Sequence, residues 1–78
     1  MNWRERIVSD PAILSGQACI KGTRVPISVV LDNLAAGLRA EDVLASYPSL
    51  SLDDVRAAIQ YAAELAHERV IVLRGTGT

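Results

Sequence analysis

The sequence predicts an α+β fold, mainly α: a short N-terminal β-hairpin followed by a three-helix, helix-turn-helix-like bundle. Three observations predict it. Asp10-Pro11, Ser15-Gly16 and Lys21-Gly22-Thr23 break residues 1–27 into short pieces that suit strands and turns. Residues 28–68 carry three apolar stripes at helical spacing, separated by Gly37 and Pro48. The chain then closes on a β-rich apolar run, Val70-Ile71-Val72-Leu73, and a polar, glycine-bearing tail over 74–78. At 78 residues this is one domain: a β-region over 1–27, a bundle over 28–68, and an apolar segment with a flexible tail over 69–78.

Taken in order, Ile7-Val8 suits a short strand, with Trp3 packed beside it or at a dimer contact. Asp10-Pro11 marks a turn, and Ala12-Ile13-Leu14 has room for one helical turn before Ser15-Gly16. Ala18-Cys19-Ile20 is the next strand. Lys21-Gly22-Thr23 then turns the chain into Arg24-Val25, because glycine takes a positive φ without a Cβ penalty. Pro26 cannot donate to a ladder, so it ends the strand and leads rigidly into a helix. A hairpin this short is not stable alone in water and must pack on the helices or on another chain.

Ser28 is placed to cap the first helix. Val30, Leu31, Leu34 and Ala35 form its apolar stripe, Asp32 and Asn33 its wet side, and Gly37 its left-handed stop, with Leu38 folding back. Glu41 and Asp42 open the second helix, where negative charge complements the macrodipole. Val43, Leu44 and Tyr47 are its buried face, and Pro48 stops it. The third helix is the best marked. Ser51 caps it, Asp54 sits three residues on as in a capping box, and Leu50 is placed to staple to Val55. Leu52, Val55, Ile59, Ala62 or Ala63, and Ala66 recur as its apolar stripe to about Glu68.

The composition narrows the chemistry. Half of the residues are hydrophobic and none is Phe, so the core must be aliphatic. The net charge is −1, unevenly spread. Arg4, Arg6, Lys21 and Arg24 outweigh Glu5 and Asp10 before residue 32; seven acids outweigh Arg39 and Arg56 over 32–68; Arg69 and Arg74 follow. Basic ends around an acidic middle are not the pattern of a strongly basic nucleic-acid-binding domain. Lone Cys19 excludes an internal disulfide, reads as a small buried hydrophobe and fits a reducing, cytoplasmic setting. The charged opening Met1-Asn2-Trp3-Arg4-Glu5-Arg6 lacks the apolar core of a secretory leader, and no apolar run has membrane-spanning length. His67 and Cys19 alone do not make a metal site, so no metal and no cofactor are expected. With no phosphate loop, dinucleotide glycine pattern or nucleophile elbow, no catalytic residue is expected and the chain reads as a non-enzyme.

Gly16-x-x-x-Ile20-x-Gly22-Thr23-Arg24-Val25-Pro26-Ile27 resembles the signature of the small bacterial family called "domain of unknown function 433". The resemblance continues through Gly37, Glu41-Asp42-Val43-Leu44, Tyr47-Pro48-x-Leu50 and Asp53-Asp54-Val55, and covers about Ile7 to Ala63. Ala18 departs from it, where the family often has proline. The resemblance implies a short β-region before a helix-turn-helix-like bundle. It also implies an antitoxin that neutralises a cognate toxin, of the PIN-like ribonuclease class, and that binds its operator.

On that reading the third helix would enter a major groove with Arg56 and Gln60 toward base edges. Asp53 and Asp54 would face phosphates, so Arg4, Arg6, Lys21 and Arg24, doubled in a homodimer, would have to compensate. Trp3 and Val70, Ile71, Val72 and Leu73 are the expected dimer or toxin contacts. The alternative reading is a homodimeric protein-interaction module with no DNA-binding role.

Overall fold

The computed structural model describes residues 2–12 and 16–68. It has the expected class: a two-stranded antiparallel hairpin followed by three helices. An N-terminal 3-10 turn, Trp3–Arg6, comes first, its leading end capped by the Asn2 side chain, which accepts from the Arg4 N–H. Strand β1, Ile7–Ser9, pairs with β2, Ala18–Ile20, in the register Ile7↔Ile20, Val8↔Cys19 and Ser9↔Ala18. The helices are α1, Ile27–Ala35, α2, Ala40–Ser46, and α3, Leu52–Glu68.

The corner between β2 and α1 departs from the expected strand pair. Arg24-Val25 is not a strand; the ladder partner of β2 is β1. What remains is a single bridge, Cys19↔Pro26, with the Ile20 N–H donating to the Val25 carbonyl at 3.0 Å. Proline suits this place because the hydrogen bond beside the bridge uses its neighbour's carbonyl, not its own missing donor. The turn is held by Thr23. Its N–H and its hydroxyl both donate to the Ile20 carbonyl, and its hydroxyl accepts from the Val25 N–H. Gly22 sits third in that turn at φ +80°, where only glycine is comfortable.

Helix α1 begins two residues earlier than a cap at Ser28 would place it. Pro26 is its N-cap at φ −64°, and the Val29 N–H bonds the Pro26 carbonyl at 3.1 Å. Ser28 is therefore already inside the helix and exposed, not a cap. The other end follows expectation. Gly37 (φ +96°) donates to Leu34 and Leu38 donates to Asn33, the two bonds of a Schellman motif. The Leu38 side chain nevertheless stays exposed, as does Ala35. Helix α2 opens with Asp42 accepting the Arg39 N–H at 2.9 Å and ends at Ser46 before Tyr47-Pro48.

In α3 the capping box forms in both directions. The Asp54 N–H donates to the Ser51 hydroxyl at 3.2 Å, and the Ser51 N–H donates to the Asp54 carboxylate at 2.8 Å. Leu50 and Val55 are buried in one cluster, as a staple requires. The core is aliphatic: Ile20, Ile27, Val30, Val43, Leu50, Val55 and Ala58. Cys19 lies buried beside it, with its thiol toward the Gln17 carbonyl.

The buried face of α3 differs from the expected one. Val55 and Ala58 are buried and Ala62 is half-buried, but Leu52, Ile59, Ala63 and Ala66 face solvent. Asp54, not Leu52, turns inward and is only 8% exposed. The reason is the N-terminal turn, which lies along α3 and supplies a cation for that carboxylate. The turn expected over Ala12-Ile13-Leu14 falls mostly outside the described residues, as does the Val70–Leu73 segment. No described helix is long and apolar enough to cross a membrane.

Candidate interaction surface

The basic residues of the N-terminus reach α3. Arg6 lies between both acids of its first turn, 3.1 Å from Asp54 Oδ1 and 3.5 Å from Asp53 Oδ2. Arg4 reaches Glu64 at 3.2 Å, about three turns further along. Between them Trp3 meets Tyr61 edge-on, ring centroids 6.0 Å apart and planes 80° apart. The Arg4 guanidinium lies 4.5 Å from the Trp3 ring centroid, a cation–π contact. Trp3 thus packs on α3 rather than beside β1. The 3-10 turn acts as a clasp running antiparallel to α3, with residue 6 near its start and residue 4 near residue 64.

This arrangement redistributes the six expected DNA contacts. Arg4 and Arg6 are occupied by acids of α3. Arg56 is exposed but sits 3.7 Å from Asp53, its neighbour one turn earlier. Gln60 is exposed on the same face of α3. Lys21 and Arg24 stand exposed on the β2–α1 corner and have no ion pair among the described residues. The fold therefore divides these five cations into three paired ones along α3 and two open ones on the corner, rather than gathering them on one face. A shallow depression lies where Arg6, Lys21 and Asn2 meet Glu5, Asp53 and Asp54, and its charges are mixed.

Apolar surface is the other feature. Leu52 is 45% and Ile59 47% exposed, and with Ala63 and Ala66 they make one stripe along the outer side of α3. Separately, Ala18, Ile27, Leu31 and Tyr61 line a groove between the hairpin, α1 and α3, with Gln17 and Ser28 at its rim. Neither surface follows from the sequence. The stripe has the same period as a buried face, and the groove needs the docking of β2 beside α3. Trp3 and Tyr61 carried the available signal, being two of only three aromatic residues in the chain. Among the described residues no group of three or more His, Cys, Asp or Glu side chains is arranged to hold a metal ion.

Comparison with known proteins agrees with the fold. The family model described as "Protein of unknown function (DUF433)" matches residues 7–62. The uncharacterized protein y4eO of Sinorhizobium fredii (strain NBRC 101917 / NGR234) is 42% identical over 59 residues, 76% of this chain and 27% of that protein. The crystal structure of a DUF433 member protein from Anabaena variabilis ATCC 29413 superimposes with a TM-score of 0.74 at 30% identity, covering 81% of this chain and 62% of that one. The chain thus spans about a quarter of the curated relative's length. The matched residues run from the first strand to the exposed stripe of α3, and on that ground the chain belongs to the DUF433 family.

Proposed function

We propose that this chain is a non-enzymatic protein-binding module of the antitoxin type, which acts by covering a partner protein. The partner class is the one the resemblance implies, a PIN-like ribonuclease toxin. One observation carries the proposal: the cations along α3 are neutralised by its own acids, while large apolar side chains beside them stand in solvent. A DNA-reading helix would need the reverse, free cations toward phosphates and polar groups toward base edges. The groove of Ala18, Ile27, Leu31 and Tyr61 is the surface assigned to the partner protein. It is concave and apolar with a polar rim, as protein-contact sites are.

The operator-binding reading keeps one support. Lys21 and Arg24 are open cations on a rigid turn, and two copies in a dimer would present four. That is enough for weak, salt-sensitive contact with a backbone but supplies little base readout. The test is co-expression with the product of the adjacent gene, followed by size-exclusion of the mixture. A stable complex that Leu31→Glu disrupts, without loss of the chain's own fold, is the expected result. A complex indifferent to the groove, or no complex together with sequence-selective operator binding, would overturn the proposal.

A further inference from the structure

We infer that the outer face of α3 pairs with the same face of a second copy of this chain, antiparallel, about a two-fold axis at Ile59. Leu52, Arg56, Ile59, Ala63 and Ala66 lie on one line along the helix, at alternating spacings of about four and three residues. All five are exposed, and the core is served by a different face, that of Val55 and Ala58. The helix therefore has a second face, apolar but for Arg56, that stays exposed among the described residues.

The uncovered line is self-complementary when read backwards. About Ile59, Leu52 falls opposite Ala66 of the second copy, Arg56 falls opposite Ala63, and Ile59 meets itself. Each level then pairs a large side chain with a small one, except at the axis. The alanines let the helix axes approach toward the short end of the roughly 8–10 Å packing range. A parallel pairing would instead set Leu52 against Leu52 and Ala66 against Ala66, crowding one end and leaving the other empty.

Charge favours the same direction. The first turn of α3 carries Asp53 and its last turn carries His67, on one flank of the line. Antiparallel packing brings each Asp53 to within a turn of the other copy's His67 and opposes the helix dipoles. Parallel packing, about an axis along the helices, would put these flanks on opposite sides of the seam and offer no such pair. The pairing leaves the groove of Ala18, Ile27, Leu31 and Tyr61 open, so it is independent of which other protein is bound there.

The test uses the full chain alone. Sedimentation equilibrium of the wild type should give twice the 8.4 kDa chain mass. Ile59→Glu, which sets two carboxylates across the axis at a site exposed in the monomer, should give the single-chain mass with an unchanged helical spectrum. Direction is read by cross-linking. Ile59→Cys should form a disulfide with itself on oxidation. Leu52→Cys should not, its two copies being roughly 21 Å apart at 1.5 Å of rise per residue, but should cross-link when mixed with Ala66→Cys. Cys19 is buried and does not compete. A monomeric wild type, a dimer that survives Ile59→Glu, or self-linking of Leu52→Cys would each overturn the inference.

Discussion

Asp54 is the residue on which the cap of α3 and the N-terminal turn converge. One carboxylate oxygen, Oδ2, accepts the Ser51 N–H, and the other, Oδ1, faces Arg6. Its own N–H is held by the Ser51 hydroxyl. Removing it deletes a cap, an ion pair and a buried acceptor together. Asp54→Ala is expected to cost about 1–3 kcal/mol in urea unfolding, from the sum of cap and hydrogen-bond losses. Asp53→Ala, at a more exposed carboxylate beside it, is expected to stay within about 0.5 kcal/mol of wild type. Equal losses at the two positions would show that Asp54 has no special role. Gly22 gives a second prediction at this scale. An added Cβ there meets nothing within 4 Å, so the cost of Gly22→Ala is purely that of a positive φ, about 1–2 kcal/mol. A neutral result in thermal unfolding would mean that the turn can flip.

At the scale of elements, the cap of α3 and the stops of α1 and α2 were legible; the cap of α1 and the choice of faces were not. Ser51 with Asp54, Gly37 and Pro48 act through bonds to residues at most five apart, so the sequence alone contains both partners. The inward face of α3 depends on a segment nearly fifty residues away. Leu52-Ile59-Ala63-Ala66 and Val55-Ala58-Ala62 have the same period, and periodicity cannot rank them. The clasp ranks them, because Arg6 draws Asp54 inward and Trp3 seats on Tyr61. Distance also hid the partner of β2: it is the more remote β1, not the adjacent Arg24-Val25, because the Thr23 hydroxyl takes the Val25 N–H in closing the turn. Trp3→Ala should release the clasp and cost about 1–2 kcal/mol, from lost burial and the aromatic edge contact. Near-ultraviolet circular dichroism should show the loss of the Trp3–Tyr61 environment, and Trp3→Phe should restore most of the stability. If Trp3→Ala is as stable as wild type, the turn is an ornament on α3 rather than part of the fold.

For the whole molecule, the distribution of charge decides between partners. The totals alone, an acidic middle between basic ends, already argued against a strongly basic nucleic-acid binder. The fold sharpens this by laying the basic N-terminus on the acidic helix, so that the two largely cancel where a recognition helix would need them apart. Among the described residues, what stays open is mostly apolar, the α3 stripe and the groove beside α1, with Lys21 and Arg24 on the corner. The most direct test is fluorescence anisotropy of the full chain with its own upstream duplex and with an unrelated duplex, at low and moderate salt. Binding to both is expected to be equal and weak at low salt and to vanish at moderate salt. Selective binding to the upstream duplex that persists at moderate salt and is lost in Arg56→Ala would contradict it.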